Sequence, residues 1–571
     1  RGMKLRAALN SFIVEDLKQL VRLCGGPGPD GARKEQLVEY IVGRITHPVA
    51  LAEIWRRLDP LSQKAVATAY HAGGEFAPEA FVAQYGELPG QMTGLSLPSV
   101  VYVFNRELSP VELFIYGGEI PEEIMNLLNP LVSPPEKFRL EGLERTPHAI
   151  DIDGKRVTLL RADTEQTGLH DLLVYLRMLR QGEVRTSTNS WRLTPASVRK
   201  LLNDLLDGDF FSHAEGARPA DAIRPAGLAV FARESGLAGA FDTLTERGNA
   251  LLKDHDLEAL LHAFETWTRE GSFDELSRVS AVKGQKSKRV RLTPPAERRE
   301  AIVEALSWCP TGVWISVEDF HRALKVWSFD FEVDPSGSLY VGDAPYGWYG
   351  YDDATIREMY SNVVLWEYLG TIGALDLIYL PPEETEYDSL YEGLIFFRIN
   401  PLGAYLFGQA GEYASPRPLD DPLFSIDSEL VLSLEDPAAL TPDLRLELGR
   451  FTVEQGNLRY RLDTGRVLDE VERGEDLQYV ADFLERHHRG PLPEQVPRWL
   501  QELGANRGAF KKKGDALLVQ VRSTELLESV VEDPILKKSA RVLEGRTLIV
   551  PSSKEGSFRN RLKELGYLLD R

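Results

Sequence analysis

Residues 297–327 read ERREAIVEALSWCPTGVWISVEDFHRALKVW, and this stretch decides how the middle of the chain folds. A turn that contains Gly312 separates one helical stretch from a second, which opens with acidic residues. Two apolar, strand-like runs follow much later, YLGTIGALDLIYL at 368–380 and LIFFRINPLGAYLFG at 394–408. The segment therefore predicts a helix–turn–helix followed by a β-hairpin.

Two earlier segments repeat this order of elements. The first runs LSQKAVATAYHAGG (61–74), FAPEAFVAQYG (76–86), and the strand-like SVVYVFN (99–105) and ELFIYGG (112–118). The second runs LHDLLVYLRMLRQGEVRTS (169–187) and RLTPASVRKLLNDLL (192–206). Thr194 can cap a helix that has Pro195 in its first turn. This order is the winged-helix pattern, and because its copies have no fixed period, a solenoid is not predicted.

The predicted fold class is α+β, mainly α, with several winged-helix units in tandem and a C-terminal α+β domain. A chain of 571 residues is too long for one core and implies about three to five domains. Pro-rich stretches predict linkers at 130–150 and 409–423. The predicted domains are a helix–loop–helix at 1–48, winged-helix-like units at 49–130, 151–272 and 273–415, and an α+β domain at 424–571.

Cysteine and apolar content indicate a cytoplasmic protein. Cys24 and Cys309 are the two cysteines of the chain, too few for a disulfide framework or a Cys-based zinc site, which suits a reducing compartment. No run approaches the ~18 apolar residues that cross a bilayer. We expect no membrane partner, and the sequence leaves the oligomeric state open.

Charge is distributed unevenly along the chain. The net charge of −21 argues against a protein that coats DNA over its whole surface. Residues 330–450 carry 23 Asp and Glu against five Lys and Arg, whereas residues 278–299 carry eight Lys and Arg against one Glu. Residues 507–571 carry 14 basic and nine acidic residues. The pattern suits a protein that holds nucleic acid on one face and repels it from another, although acidic loops that only aid solubility would explain it equally.

The C-terminal stretch resembles part of a helicase. It reads LRYRLDTGRVLDEVERGEDLQYVADFLERHHRGPLPEQVPRWLQELGA at 458–505 and LLVQVRSTELLESVVEDPILKKSARVLEGRTLIVPSSKEGSFRNRLKELGYLLDR at 517–571. These residues resemble the non-catalytic domain that flanks XPB-type helicases and recurs in bacterial helicase-associated proteins. The resemblance implies a domain that senses distorted DNA or docks against a helicase motor. A separately encoded helicase or nuclease is then the expected protein partner.

The N-terminal residues 12–45 read FIVEDLKQLVRLCGGPGPDGARKEQLVEYIVGRI. Two apolar helical faces flank a Gly- and Pro-rich centre at 25–31, which must break the helix. The Val-x-x-Leu-Lys opening, the Gly-rich centre and the Lys-x-x-Leu-Val second helix resemble the SAP module, a small DNA-binding unit. That resemblance implies that Arg33 and Lys34 face phosphates. A plain helical hairpin is the alternative, because five basic and five acidic residues leave the segment without net charge.

The sequence carries no convincing catalytic motif. A helicase needs a Gly-rich phosphate loop that ends in Gly-Lys-Ser/Thr, and the nearest candidate, KGQKS at 283–287, lacks the first Gly and the Gly-Lys order. Gly-x-Ser-x-Gly, His-Glu-x-x-His and Cys-x-x-Cys are missing too. His487 and His488 are expected to be exposed and lack a third ligand for zinc. We expect no enzyme activity, no cofactor and no metal.

Basic residues in three further segments are the candidate DNA contacts. The segment 278–299 is a Gly- and Ser-containing, mobile stretch whose cations can follow phosphates: Lys283, Lys286, Lys288, Arg289 and Arg291. The second winged-helix-like unit offers cations and hydroxyls around a recognition-type helix: Arg185, Thr186, Ser187, Thr188, Asn189, Arg192, Ser197, Arg199 and Lys200. The C-terminal domain offers Lys511, Lys512 and Lys513. For the first two segments, the alternatives are a solvated linker and a winged helix that binds protein.

Residues 328–355 interrupt the third unit and are rich in Gly, Asp, Trp and Tyr. This composition predicts an ordered surface insertion. Its aromatic and acidic residues suit protein contacts, since Tyr and Trp dominate interface hot spots. A hydrophobic staple that holds the wing is the alternative.

Together these features predict a non-catalytic, DNA-binding accessory protein that acts with a separately encoded motor or nuclease. DNA repair and defence against foreign DNA are the expected roles. The alternatives are a protein-interaction scaffold that uses winged helices without binding DNA, and a DNA-binding transcriptional regulator.

Overall fold

The computed structural model describes residues 2–90, 92, 107–187, 192–211, 221–343, 347–348, 353–385, 390–415, 422–506, 509–510 and 514–569. The fold is α+β and mainly α, as the sequence predicts. Two compact units divide the chain. The first contains Arg1–Ser425, Leu432–Arg461 and Arg486–Arg489, and the second contains Ile426–Val431, Leu462–Glu485 and Gly490–Arg571. Residues 424–571 are thus shared between the two units.

The first unit begins with a helical lobe, residues 2–132, called the N-terminal lobe below. Its helices are α1 (Leu5–Asn10), α2 (Val14–Cys24), α3 (Lys34–Ile45), α4 (Pro48–Arg57), α5 (Pro60–His71), α6 (Pro78–Tyr85) and α7 (Glu122–Leu128). Their apolar faces form one core around Leu17, Ile41 and Phe114. The chain leaves α2 through Gly25 at a φ of 70°, a left-handed value that glycine adopts without strain. α2 and α3 then pack together, so the predicted helix–loop–helix is present.

The apolar hairpin predicted for the first winged-helix-like unit is not found in the described residues. The run at 99–105 lies outside them. The strand predicted at 112–118 is not formed: its first two residues belong to a 3₁₀ turn, Pro110–Leu113, and Tyr116 makes only an isolated bridge to Glu119. Ser109 and Glu112 form a capping box around that turn, with Pro in its first position. Local capping therefore outweighs the strand preference of the apolar residues.

The rest of the first unit is built on a second core, and residues 137–413 are called the central lobe below. Its helices are α8 (Gly168–Arg180), α9 (Pro195–Asp204), α10 (Ile223–Glu234), α11 (Glu246–Asp254), α12 (Leu257–Glu270), α13 (Pro295–Trp308), α14 (Val317–Val326), α15 (Asp353–Val363) and α16 (Pro401–Leu406). Its strands are β1 (Ala149–Ile152), β2 (Lys155–Thr158), β3 (Leu160–Ala162), β4 (Val282–Lys283), β5 (Trp314–Ser316), β6 (Tyr340–Asp343), β7 (Gly347–Trp348), β8 (Leu375–Tyr379) and β9 (Leu394–Ile399). They form three sheets, with the orders β1-β2, β3-β8-β9-β5 and β4-β6-β7.

The third predicted winged-helix unit has the expected order of elements. α13, β5, α14, α15, β8 and β9 occur in this order along the chain, and β6 and β7 of the insertion lie between α14 and α15. β5 pairs antiparallel with β9, where Ile315 lies opposite Phe397, and β8 pairs antiparallel with the same strand. This order and pairing are those of a winged helix. β3, from much earlier in the chain, adds a fourth strand beside β8.

The second predicted winged-helix unit departs from that pattern. α8 and α9 are present, and Thr194 caps α9 by accepting a hydrogen bond from the backbone N–H of Ser197. No hairpin follows α9 in the described residues, where the chain continues into α10, α11 and α12. The rings of Phe210 and Phe211 pack against Trp366, with centroids 5.9 and 5.6 Å apart. These contacts draw the chain after α9 into the core of the central lobe.

α15 occupies the place of the helix that enters DNA in a winged helix, but much of it is buried. The helix continues as a π-helix over Val364–Gly370, and all seven of those residues are buried. Within that turn Trp366 packs against Tyr379 of β8, with ring centroids 4.6 Å apart. A helix enclosed by its own core cannot enter a major groove, which must admit the helix along its side.

The remaining elements follow residue 422. The strands are β10 (Phe424–Ile426), β11 (Val431–Leu434), β12 (Thr452–Gly456), β13 (Arg459–Leu462), β14 (Ala516–Gln520), β15 (Arg541–Glu544) and β16 (Thr547–Pro551). The helices are α17 (Pro442–Phe451), α18 (Thr464–Glu472), α19 (Leu477–His487), α20 (Gln495–Ala505), α21 (Thr524–Glu532), α22 (Leu536–Ser539) and α23 (Glu555–Glu564). In the second unit, β14, β16 and β15 form an antiparallel sheet in that order, with Val519, Leu548 and Phe558 in its core.

Two segments that follow residue 422 belong to the first unit: Leu432–Arg461, which contains α17, and Arg486–Arg489. α17 is fixed to α8 by a buried cluster in which Glu447 pairs with both Arg177 and Arg450. His487 and His488 are buried as well, so their predicted exposure is wrong. The backbone of His488 bridges to Phe424 of β10, and its imidazole packs against the Phe424 ring, with centroids 6.4 Å apart.

Candidate nucleic-acid interface

The exposed cations of 278–299 lie on an anchored loop, residues 283–293, called the basic loop below. Its start belongs to β4, where Lys283 pairs with Tyr340 of β6. In its middle, the side-chain amide of Gln285 donates to three backbone carbonyls at 2.9 to 3.2 Å. At its end, the backbone N–H of Thr293 donates to a carbonyl of the insertion at 3.1 Å. The loop is thus anchored to the rest of the fold at three points.

Asp334 of the insertion supports the basic loop from the other side. Its carboxylate accepts hydrogen bonds from the backbone N–H groups of Ser338 at 2.7 Å and Leu339 at 2.9 Å. The backbone N–H of Arg291 donates to it at 3.4 Å. Burial opposes the charged form, but the hydrogen bonds from Ser336, Ser338 and Leu339 outweigh it and lower the pKa of Asp334. The insertion is thus an ordered part of the fold where the structure describes it.

Four exposed cations of the basic loop have no ion-pair partner in the described part of the chain: Lys286, Lys288, Arg289 and Arg291. Lys283 is exposed too, but its ammonium group donates to the carbonyl of Ser280 at 2.6 Å. Unpaired surface cations can neutralise phosphates and so release the counterions that are condensed on a nucleic acid. The loop can therefore bind a nucleic-acid backbone, whereas it offers no helix or ribbon for reading base edges.

The other basic residues of 278–299 near this loop are structural. Three ion pairs account for them: Arg278 with Glu367 at 2.9 Å, Arg298 with Asp274 at 2.8 Å, and Arg299 with Glu275. The side chains of Arg299 and Glu275 are fully buried. Burial outweighs the neighbouring arginines and raises the pKa of Glu275 and Glu367. These arginines are unavailable to DNA.

The cations around α9 are divided between solvent and the protein. Arg185, Arg192 and Arg199 are exposed and have no ion-pair partner among the residues that the structure describes. Lys200 is exposed as well, but it pairs with Glu183 at 2.9 Å. Three free guanidinium groups thus lie near the start of one helix, which is consistent with phosphate contact.

The hydroxyl groups predicted to meet DNA beside α9 are used inside the protein. The Thr186 hydroxyl donates to Asp242 at 2.6 Å. The Ser197 hydroxyl accepts from the backbone N–H of Arg185 at 2.9 Å. Thr188 and Asn189 lie outside the described residues. Base reading by these hydroxyls is therefore not supported where they are described.

The two terminal groups of predicted contacts differ in what the structure says of them. Arg33 is exposed just before α3, whereas the ammonium group of Lys34 donates to the carbonyl of Asn10 at 2.7 Å. Arg33 is the freer of the pair to meet a phosphate. Lys511, Lys512 and Lys513 lie outside the described residues.

The single cation of α15 is already paired. Arg357 contacts Glu79 of α6 at 3.3 Å, Asp353 at 3.4 Å and also Asp330. A cleft of about 1040 Å³ lies between α6, α14 and α15, and His321 lines it. Burial, and then the charge of Lys325, lowers the pKa of His321 to about 3, so the imidazole is neutral at physiological pH. Neither side chain offers a free positive charge to DNA.

The sequence predictions miss the exposed Trp308. Trp308 ends α13 and is 58% exposed, although it stands inside the stretch that decides the fold. The buried stripe of α13 includes Ile302, Ala305 and Leu306. Trp308 lies off that stripe, and this helical spacing could have marked it as a surface residue.

The two cysteines of the chain, Cys24 and Cys309, are both buried. Burial raises the pKa of Cys24 to about 12 and also raises that of Cys309, which disfavours the reactive thiolate at both sites. The described residues contain no group of three or more His, Cys, Asp or Glu arranged to hold a metal. Their helices are also too short or too polar to cross a bilayer. No protein-family model matches the chain, and no curated protein matches it either.

Proposed function

We propose that this protein binds DNA through phosphates and serves as a non-catalytic accessory to a separately encoded helicase or nuclease. Its field of action is DNA repair or defence against foreign DNA. The basic loop is the main contact, and Arg185, Arg192, Arg199 and Arg33 add further cations.

One observation carries this proposal: four exposed cations without partners lie on a loop that is held in place by the fold. An anchored loop loses little conformational freedom on binding, so its charges act at low entropic cost. The chain as a whole has a net charge of −21, which on balance repels a duplex. A concentrated basic surface in such a chain favours a specific role in phosphate binding over general solubility.

Equilibrium binding tests the proposal. Fluorescence anisotropy with labelled duplex, forked and single-stranded DNA is measured at 50 and 200 mM salt. Four phosphate contacts imply an affinity loss of about a hundredfold over that range. Replacement of Lys286, Lys288, Arg289 and Arg291 by Glu should weaken binding regardless of DNA sequence. DNA affinity that is absent, or unaffected by these replacements, would refute the assignment.

The accessory role needs a separate experiment. A helicase or nuclease that is captured with the tagged protein is purified, and its activity on forked DNA is measured with and without the protein; capture of neither kind of enzyme would contradict the accessory role. We expect stimulation by the wild-type protein and none by the Glu variant of the basic loop. Equal activity in all three reactions would contradict the accessory role while leaving DNA binding intact.

A protein-interaction scaffold is the second candidate function. The observation that favours it is the buried recognition position, where Arg357 of α15 pairs with Glu79 instead of facing solvent. A winged helix whose recognition helix is buried in this way is part of a protein core and does not present that helix to DNA. Binding of a protein partner that is insensitive to the basic-loop variant would favour the scaffold.

A further inference from the structure

Four aromatic rings form a continuous row at the end of α13, called the aromatic row below: Phe138, Trp327, Trp308 and Phe329. Successive ring centroids are 6.1, 5.8 and 4.9 Å apart. Trp308 is 58% exposed, and the other three are half-buried. The ring of Phe329 meets the Trp308 indole edge-on at 86°, and that of Trp327 meets it at 53°. These contacts fix the indole while leaving much of its surface open to solvent.

The exposure of Trp308 is not required by the packing of α13. That helix buries Ile302, Ala305 and Leu306 against the core of the central lobe. An indole outside this stripe keeps a large apolar surface in water, which disfavours leaving it uncovered. An ordered, exposed aromatic surface of this kind is typical of a contact site.

The surroundings of the aromatic row carry positive charge. Lys137 and Arg139 flank its first ring in sequence, are exposed and have no ion-pair partner in the described part of the chain. The Arg322 guanidinium lies 5.3 Å from the centre of that ring. Arg322 also pairs with the exposed Asp319 at 3.5 Å, and Glu136 is occupied by a lysine at the same distance. The exposed pair with Asp319 is weak, so Arg322 can exchange it for a phosphate.

We propose that the aromatic row is a binding site for single-stranded DNA, in which an unpaired base stacks on Trp308 and an adjoining phosphate meets Arg322. Base–aromatic stacking with cations along the backbone is the general chemistry of sequence-tolerant single-strand binding. A duplex keeps its bases stacked on each other and offers none to the indole. This inference rests on the proposed DNA-binding function and specifies a form of DNA that one of its surfaces recognises.

The aromatic row and the basic loop are separate sites. The basic loop leads into the first residue of α13, and Trp308 is the last of its 14 residues. At 1.5 Å per residue, the helix places about 21 Å between its two ends. Substitutions at the two sites should therefore act independently.

Binding of the full chain to a labelled oligothymidylate and to a duplex of the same length tests the inference. Trp308→Ala should weaken oligothymidylate binding about tenfold and leave duplex binding unchanged. Trp308→Phe retains a stacking face and should remain within about threefold of wild type. Glu304 is exposed one turn before the indole, and Glu304→Lys should strengthen single-strand binding. Val49→Ala removes apolar surface that is 62% exposed on another helix and should change nothing.

The outcomes separate this inference from the proposed function. Suppose that wild type binds duplex and that the basic-loop variant loses this binding. Unchanged oligothymidylate affinity in Trp308→Ala would then overturn only the assignment of the aromatic row as a single-strand site. Equal losses for duplex and single strand in a Trp308→Ala variant that unfolds in urea at the wild-type midpoint overturn it too, because base stacking on the indole cannot support duplex binding. Tighter binding to oligouridylate than to oligothymidylate overturns the assignment to DNA. Failure of wild type to bind any DNA overturns the proposed function itself.

Discussion

The basic run at 278–299 contains two groups of cations with opposite surroundings. Arg278, Arg298 and Arg299 are paired with carboxylates, and the last of these pairs is fully buried. The cations of the basic loop between them are exposed and unpaired. A count of charges in the sequence treats both groups alike, although only one of them can meet a phosphate.

The difference in burial separates the charges that stabilise this fold from those that are available for binding. A buried ion pair has lost its hydration, so removal of one partner leaves an uncompensated charge in the core. An exposed, unpaired cation is hydrated and contributes little to stability. Substitutions in the first group should therefore lower the free energy of unfolding. Substitutions in the second group should change only the affinity for DNA.

The largest effect is expected at Arg299, whose side chain is fully buried with that of Glu275. Arg299→Met leaves the carboxylate without its partner and should lower the free energy of unfolding by about 3–5 kcal/mol. Urea denaturation measures this change. Arg291→Met on the basic loop is the matched control and should shift stability by less than about 0.5 kcal/mol. Similar losses in both variants would erase the distinction between the two groups.

A buried histidine extends the comparison to pH. The pKa of His321 in the folded protein is about 3, below its ordinary value of 6.5, so the unfolded chain takes up the proton first as pH falls. Stability should then fall between pH 6.5 and 3 with a slope of up to about 1.4 kcal/mol per pH unit. Relative to pH 7, wild type should lose about 3 kcal/mol more than His321→Gln at pH 4.

The control for this pH series is the exposed His262. His262→Gln should retain the loss of stability that wild type shows at low pH, because it leaves the buried His321 in place. If His321→Gln and wild type lost stability in parallel, the neutral, buried state of His321 would be contradicted.

The next effect concerns the anchoring of the basic loop. Gln285→Ala removes three hydrogen bonds to backbone carbonyls without removing any cation. We expect a loss of about 1–2 kcal/mol in stability. DNA affinity should fall about threefold, because the loosened loop must be ordered on binding. Unchanged affinity would mean that the position of the loop is irrelevant to DNA binding.

The smallest effect distinguishes two neighbouring cations of the N-terminal lobe. Arg33 is exposed, whereas Lys34 donates to the carbonyl of Asn10. Arg33→Ala should reduce the salt slope of DNA binding by up to about 0.9 and leave stability unchanged. Lys34→Ala should cost about 0.5 kcal/mol of stability, as loss of an exposed hydrogen bond implies. A wild-type salt slope in Arg33→Ala would show that Arg33 does not contact a phosphate.

The sequence predicts the elements whose signals are local. The helix–loop–helix at 12–45 follows from its Gly-rich centre, and the winged order of 297–408 follows from the sequence of helical and strand-like runs. Capping of α9 by Thr194 is also read directly from the residue types. These features depend on neighbouring residues, so a single chain is enough to reveal them.

The features that the sequence does not reveal depend on distant contacts. Phe210 and Phe211 pack on Trp366, which lies far along the chain, and no wing forms after α9 in the described residues. The anchoring of the basic loop depends on strand pairing between residues 282–283 and 340–341. Such contacts between remote residues decide which basic residues are buried and which are free. The predicted DNA contacts are accordingly a mixture of exposed and occupied groups.

The salt dependence of DNA affinity tests directly whether the basic loop binds phosphates. Lys286, Lys288, Arg289 and Arg291 are replaced together by Ala, and the logarithm of the affinity is plotted against that of the salt concentration. Because each phosphate contact contributes about 0.9 to the slope, we predict a slope that is shallower by about 2 to 4.

A control variant with Ala at four other exposed cations without ion-pair partners in the described residues should keep the wild-type slope: Arg56, Arg145, Arg156 and Lys563. Equal slopes for wild type and the basic-loop variant would contradict DNA binding through the basic loop, since the loop would then make no phosphate contact.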